Sequence, residues 1–145
     1  METCPECGAP ACENLFQLLL ALDHSRQPPW GPLHGVSVAC YLWQHPSRLP
    51  ASGGAAAWAI LHAFLRDGSG GATRQIRQVR RTNSHRSGSQ KPSVASDVVA
   101  PTPDRRPEHF TVTIADVAEN GEFPAEGFTE RVTAWAAATV AAWRV

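Results

Sequence analysis

Residues 32–46 read PLHGVSVACYLWQHP, a largely apolar run closed by proline at each end. Pro32 presets the backbone angle of a first helical residue, and Pro46 stops a helix one residue after His45. The segment between them, Leu33 to His45, is therefore helix two. Val36, Val38, Cys40, Leu42 and Trp43 point to several sides of it, the pattern of a helix covered nearly all round. Such a rod needs other helices as its cover, so these fifteen residues set the fold class as all-α. Cys40 falls mid-helix among apolar neighbours and reads as a small core residue. Offsets of 7 and 11 residues also bring His34, Tyr41 and His45 onto one stripe with Val38, at about 100° per residue. Polar groups so placed must be hydrogen-bonded or cost ~1–3 kcal/mol each. They either pair with loop carbonyls and one another or form a polar pocket of His34 and Tyr41, which His62 of the next helix would join.

Working outward, CENLFQLLLALDH (12–24) is helix one, with acidic Glu13 in its first turn where the helix dipole favours it. SRQPPWGP breaks the chain before helix two. SRLPASGG is a loop, and AAAWAILHAFLRDG (55–68) is helix three with Gly68 as its C-cap. GSGG and SHRSGSQKPSVAS carry too few apolar groups to offset the entropy of ordering them. Between them, ATRQIRQVRRTN reads as a short helix with Ile76 and Val79 on one side. FTVTIADV (110–117) alternates like a strand, but a strand without a partner makes no ladder, so the expectation is an extended segment. Phe128, Val132, Ala136, Val140 and Trp143 recur at helical spacing in PAEGFTERVTAWAAATVAAW. The expected architecture is one domain over 1–145, a small helical bundle with an N-terminal zinc-knuckle-like segment (1–12) and an irregular Arg/Ser/Pro-rich loop. Residues 69–108 are expected to be partly disordered.

Cys4, Cys7 and Cys12 crowd the start, METCPECGAPAC. A C-x2-C pair flanked by proline and glycine resembles a zinc knuckle, whose tight turn aims two thiolates at one ion. A redox pair would need a cysteine at a helix N-terminus and a thioredoxin-like context, and neither Cys4 nor Cys7 has it. A short connection makes helices one and two an antiparallel hairpin, so the start of one lies beside the end of the other. His45 is then the histidine that Cys12 meets, while His34 lies about 16 Å away along the axis. The favoured zinc ligands are Cys4, Cys7, Cys12 and His45. His34 remains the competing fourth ligand, and the plainer role of His45 is to cap the last carbonyls of its helix.

The 145 residues carry 13 basic and 13 acidic side chains, so no bulk field draws the chain to nucleic acid or to a charged membrane. The start lacks the basic flank and apolar run of a signal peptide, and Leu15 to Leu22 is shorter than the ~20 residues of a membrane span. A cytoplasmic protein is expected, in a compartment where clustered cysteines are more often metal ligands than disulfides. Arg74, Arg77, Arg80, Arg81 and Arg86 fall in a tract without an acid. They could meet RNA or DNA, but no aromatic residue interleaves them to stack bases, and a solvated helix face explains them as well.

CPECGAP, a cysteine opening an apolar helix, HGVSVACYLWQHPS, and the ending TVTIADV…VTAWAAATVAAW together resemble a family of small, mostly actinobacterial proteins known as a domain of unknown function. The resemblance extends over nearly the whole chain and is most specific in the His-to-Tyr-to-His spacing and the QHP ending. It implies a helical domain with a cysteine-rich start and supplies no activity. The family pattern often has an acidic residue where this chain has Ala39, so an acid or base role at that position would be lost here. The segment from Ser84 to Arg106 departs from the family pattern.

Two kinds of function follow. A fully ligated Cys3His zinc would be structural, and the chain would then be a metal-stapled module that binds an unknown protein partner. An open zinc position would instead activate water in a hydrolase-like reaction, with His34 or Tyr41 assisting. The balance favours the module over the enzyme. Three thiolates make zinc a poor Lewis acid, no acid stands near either histidine in sequence, and no phosphate loop, nucleophile elbow or HExxH occurs.

Overall fold

The computed structural model describes residues 2–50, 54–84 and 99–144. Among them are five helices: α1 (Cys12–His24), α2 (His34–Gln44), α3 (Gly54–Ser84), α4 (Ile114–Val117) and α5 (Phe128–Trp143). The described residues form no strand, only isolated bridges between Thr3 and Pro10 and between Glu119 and Glu122. None of their helices is long and apolar enough to cross a membrane.

Helix α2 is the spine, packed along α3 and against α5. Val36, Cys40 and Trp43 are buried on it as its pattern requires, and the small Ser37 and Ala39 let neighbours approach closely. Trp43 meets Trp58 of α3 and Trp143 of α5 edge to face, with ring centroids 5.1 and 5.0 Å apart. Burying a ring of that size contributes at most about 4–6 kcal/mol of apolar transfer, because the unfolded chain is itself partly compact. Two of the three polar edges are matched: the Trp43 indole donates to Gly54 O at 3.0 Å and the Trp143 indole to Trp43 O at 2.8 Å, while the buried Trp58 Nε1 meets no acceptor among the described residues. Gln44, buried, donates to Val112 O at 2.8 Å and Thr139 Oγ1 at 2.9 Å, tying the spine to the C-terminal third. On α5 the expected face is buried, and Trp135 and Thr139 join it.

One expectation is corrected and another is extended. Residues 110–117 alternate like a strand but end in the single turn of α4, because Thr113 and Asp116 form a reciprocal capping box. The Thr113 amide donates to Asp116 Oδ2 at 2.9 Å, which satisfies a helix-start donor that a lone strand would leave open. Helix three, expected to end at Gly68, does break there (φ 73°, ψ −161°), and a second helical arm starts directly after it and runs to Ser84, so α3 is two arms joined at a kink. Only glycine holds that conformation readily. The SGG stretch joins the helix because small residues let its two arms touch: a Cβ on Gly71 would stand 2.6 Å from Ala63 O. The short helix expected over ATRQIRQVRRTN lies within that second arm, which also takes in the SGG stretch before it, and a further turn forms at Pro103–Arg105. Residues 85–98, most of the Ser/Arg-rich segment from 84 to 106, lie outside the described residues, as does the side chain of Val79.

Helix propensity alone makes Gly71→Ala stabilising by up to ~1 kcal/mol. The contact with Ala63 O reverses that sign, and we expect a loss of ~1–3 kcal/mol in urea denaturation.

Candidate metal centre

The cysteine-rich start folds back on itself before α1 begins. The Cys4 amide donates to Ala9 O at 2.9 Å and the Gly8 amide to Cys4 O at 2.8 Å, with Gly8 at φ 84° supplying the reversal. The Ala9 amide points at Cys7 Sγ, 3.4 Å away. Ala11, itself in the left-handed region at φ 54°, turns the chain into α1 so that Cys12 opens the helix. All four cysteines are free thiols.

Helix α2 delivers the fourth group from the other side. One residue past its end, His45 is buried with Nε2 3.5 Å from Cys12 Sγ. One potential ligand atom from each of Cys4, Cys7, Cys12 and His45 lies within 4.8 Å of the others. Tetrahedral zinc, with bonds of about 2.3 Å to sulfur and 2.0–2.1 Å to nitrogen, would set sulfur and nitrogen about 3.6 Å apart and two sulfurs about 3.8 Å apart. The Cys12–His45 separation already has that value.

The imidazole is oriented from both sides. Its Nδ1 lies 2.7 Å from Tyr41 O, and since a carbonyl only accepts, Nδ1 carries the proton and Nε2 presents a lone pair to the sulfurs. His45 does cap its helix, and the same bond aims its other nitrogen. Burial lowers its pKa, more than the Tyr41 carbonyl restores, so it is a neutral donor rather than a capping cation. Tyr41 stacks on His45 with centroids 4.0 Å apart and on Phe16 of α1 at 3.8 Å. Burial and then the Cys12 charge raise the Tyr41 pKa, so the phenol keeps its proton.

The three thiols ionise unequally. Burial pushes Cys7 up to about 12, and raises Cys12 as well. Burial opposes ionisation at Cys4 too, but hydrogen bonds from the Cys7 and Glu6 amides and from the Cys12 and Cys7 thiols together outweigh it and the pKa falls. Negative charge at Cys4 raises both neighbours. A divalent cation held among the sulfurs would supply the counter-charge for all three to ionise together.

Sequence reading missed Glu6. Its carboxylate accepts from the Ser47 amide at 3.0 Å and the Ser47 hydroxyl at 2.8 Å, and lies 3.4 Å from Arg106 Nη1. Glu6 thus latches the cysteine turn to the short helical turn Pro46–Arg48 after His45. The only hint was an acid inside the C-x2-C loop, since Ser47 stands 41 residues away.

The other singled-out side chains go elsewhere. His34 Nδ1 lies 3.0 Å from Asp23 Oδ2, and the ring of His24 meets it edge-on. His62 packs on Trp58, with burial and then Arg144 and Arg66 lowering its pKa. His34, Tyr41 and His62 thus face different neighbours. Arg74 lies 3.7 Å from Asp67, and Arg77 and Arg80 line a groove beside α2. Arg86 and the side chain of Arg81 lie outside the described residues.

Residues 2–144, nearly the whole chain, match a family of unknown function, DUF5946. The chain belongs to that family. No curated protein and no solved structure matches it. The family carries no activity with it, so the chemistry of the site must be argued from the side chains.

Replacing Glu6 by alanine removes charge-assisted bonds at a partly exposed position. We expect Glu6→Ala to lower stability by ~1–2 kcal/mol, read by urea denaturation, with Gln restoring part of the loss.

Proposed function

We propose that Cys4, Cys7, Cys12 and His45 hold one structural zinc ion, and that the chain is a metal-stapled helical module that binds a partner rather than an enzyme. The observation that carries this reading is the gathering of four soft or borderline donor atoms within 4.8 Å of one another. Three sulfurs and one imidazole suit zinc. The start of α1 and the end of α2 supply them from one end of the helical hairpin, so the ion would cross-link chain positions 33 residues apart.

A closed set of four protein ligands leaves no position for water or substrate. Two further points support the structural role. Tyr41, which an open zinc site would recruit for proton transfer, is held protonated by its burial. His34, the other candidate assistant, is paired with Asp23 and opens α2, eleven residues before His45 and so about 16 Å away along the helix axis.

Purified protein should contain about one zinc per chain by elemental analysis, and Cys7→Ser should lose most of it. His45→Ala should lower metal retention and thermal stability together, by about 10 °C for a linkage of ~3 kcal/mol. An open catalytic site would instead keep its metal in His45→Ala. Wild-type protein that purifies without metal and fails to take up zinc would overturn the reading.

Zinc binding requires the thiols to lose their protons, and burial holds Cys7 near 12 and raises Cys12. Binding at neutral pH should therefore release on the order of three protons per ion. Affinity should rise with pH and fall on acidification as protons compete for sulfur; His45, with its pKa lowered, protonates late in that descent. Zinc titrations in two buffers of different ionisation enthalpy give the proton count.

A further inference from the structure

The far end of α2 borders a groove of about 540 Å³, a volume in the range that takes small molecules. It lies where α2 crosses the bent α3, so both arms of α3 contribute to its walls. Val38 and Ala39 from α2, Ala57 and Ile60 from the first arm, and Ile76 from the second make an apolar floor. The polar groups are Thr73, Arg77 and Arg80 from the second arm and His34 from α2. Among the described residues lining it, none is acidic.

This rim is built on a fixed base. Gly35 lets α3 approach, since a Cβ there would collide with the Ile76 methyl. Asp23, with a side chain wholly buried, holds His34 Nδ1 at 3.0 Å, which leaves Nε2 as the ring nitrogen available to the groove. Arg77 and Arg80 are three residues apart on a helix and so project from one face. Two guanidinium groups and an imidazole edge over an apolar floor discriminate in favour of a molecule with an anionic head and an apolar body. A bare anion would forgo the floor, and a neutral apolar molecule would leave the guanidinium groups unused.

We propose that this groove is a binding site for a small amphipathic anion, a phosphate monoester or carboxylate carried on an apolar chain, with Arg77 and Arg80 on the head and Val38, Ile60 and Ile76 on the body. It shares no residue with the cysteine cluster and stands independently of the zinc reading. The head is recognised as a charge with oxygen acceptors, so phosphate and carboxylate are variants of one chemistry.

Isothermal titration of the full chain with octyl phosphate tests it, alongside octanoate, octanol and inorganic phosphate. Octyl phosphate or octanoate should bind at least tenfold more tightly than octanol and than inorganic phosphate. The double variant Arg77→Ala/Arg80→Ala should lose at least tenfold for the anionic amphipaths, with the thermal midpoint unchanged because both side chains are exposed. Thr73→Phe, which fills the groove from an intermediate position, should weaken the same ligands while both arginines remain. The proposal is overturned if neither amphipath binds, if the double variant binds them as well as wild type, or if inorganic phosphate or an oligonucleotide competes at equal concentration. That last result would mark a purely electrostatic face.

Discussion

The approach of Cys12 Sγ to His45 Nε2 joins the start of α1 to the end of α2, and the geometry of the N-terminal third depends on it. Residues 2–10 bury little apolar surface of their own apart from Cys7 and Ala9. They are placed by the sulfurs, by the Glu6 latch to Ser47 and by short backbone bonds. The stack of Phe16, Tyr41 and His45 sets the plane of the imidazole, and the Tyr41 carbonyl sets its tautomer. Each partner of His45 constrains a different degree of freedom, so the nitrogen lone pair has one direction left.

Helix α2 thus has two unlike ends. At its C-terminal end, polar groups are buried and converge, and burial controls their ionisation. At its N-terminal end, polar groups surround an open apolar floor and stay partly in water. The Trp43, Trp58 and Trp143 cluster near the C-terminal end, with its indole bonds to Gly54 and Trp43 carbonyls, binds α2, α3 and α5 into one unit.

Much of this was legible because the chain punctuates itself. Prolines bound α2, leucines mark α1, and the spacing of Phe128, Val132, Ala136 and Val140 marks α5. Cys4, Cys7, Cys12 and His45 could be grouped because a short connection leaves a hairpin little choice of direction. What stayed hidden depended on contacts distant in sequence or on backbone detail. Asp116 reverses the apparent strand character of the preceding residues through one capping bond. The GSGG stretch looks too polar to order and hides the continuity of the two arms, yet Gly71 and Gly35 let the second arm lie close against its neighbours. Asp23 gave no sign of pairing with His34, because a lone acid at the end of a leucine-rich helix looks like ordinary solvent-facing charge.

The bend in α3 has one more implication. A straight rod of its 31 residues would extend about 46 Å and could not bring Thr73 and Ile76 back to the groove that Ala57 and Ile60 line. Folded at a single glycine, the rod becomes a pair of jaws hinged on one dihedral pair, and both jaws close on the same side of α2. The aperture between them is therefore set by backbone geometry at position 68, a residue that touches nothing inside it.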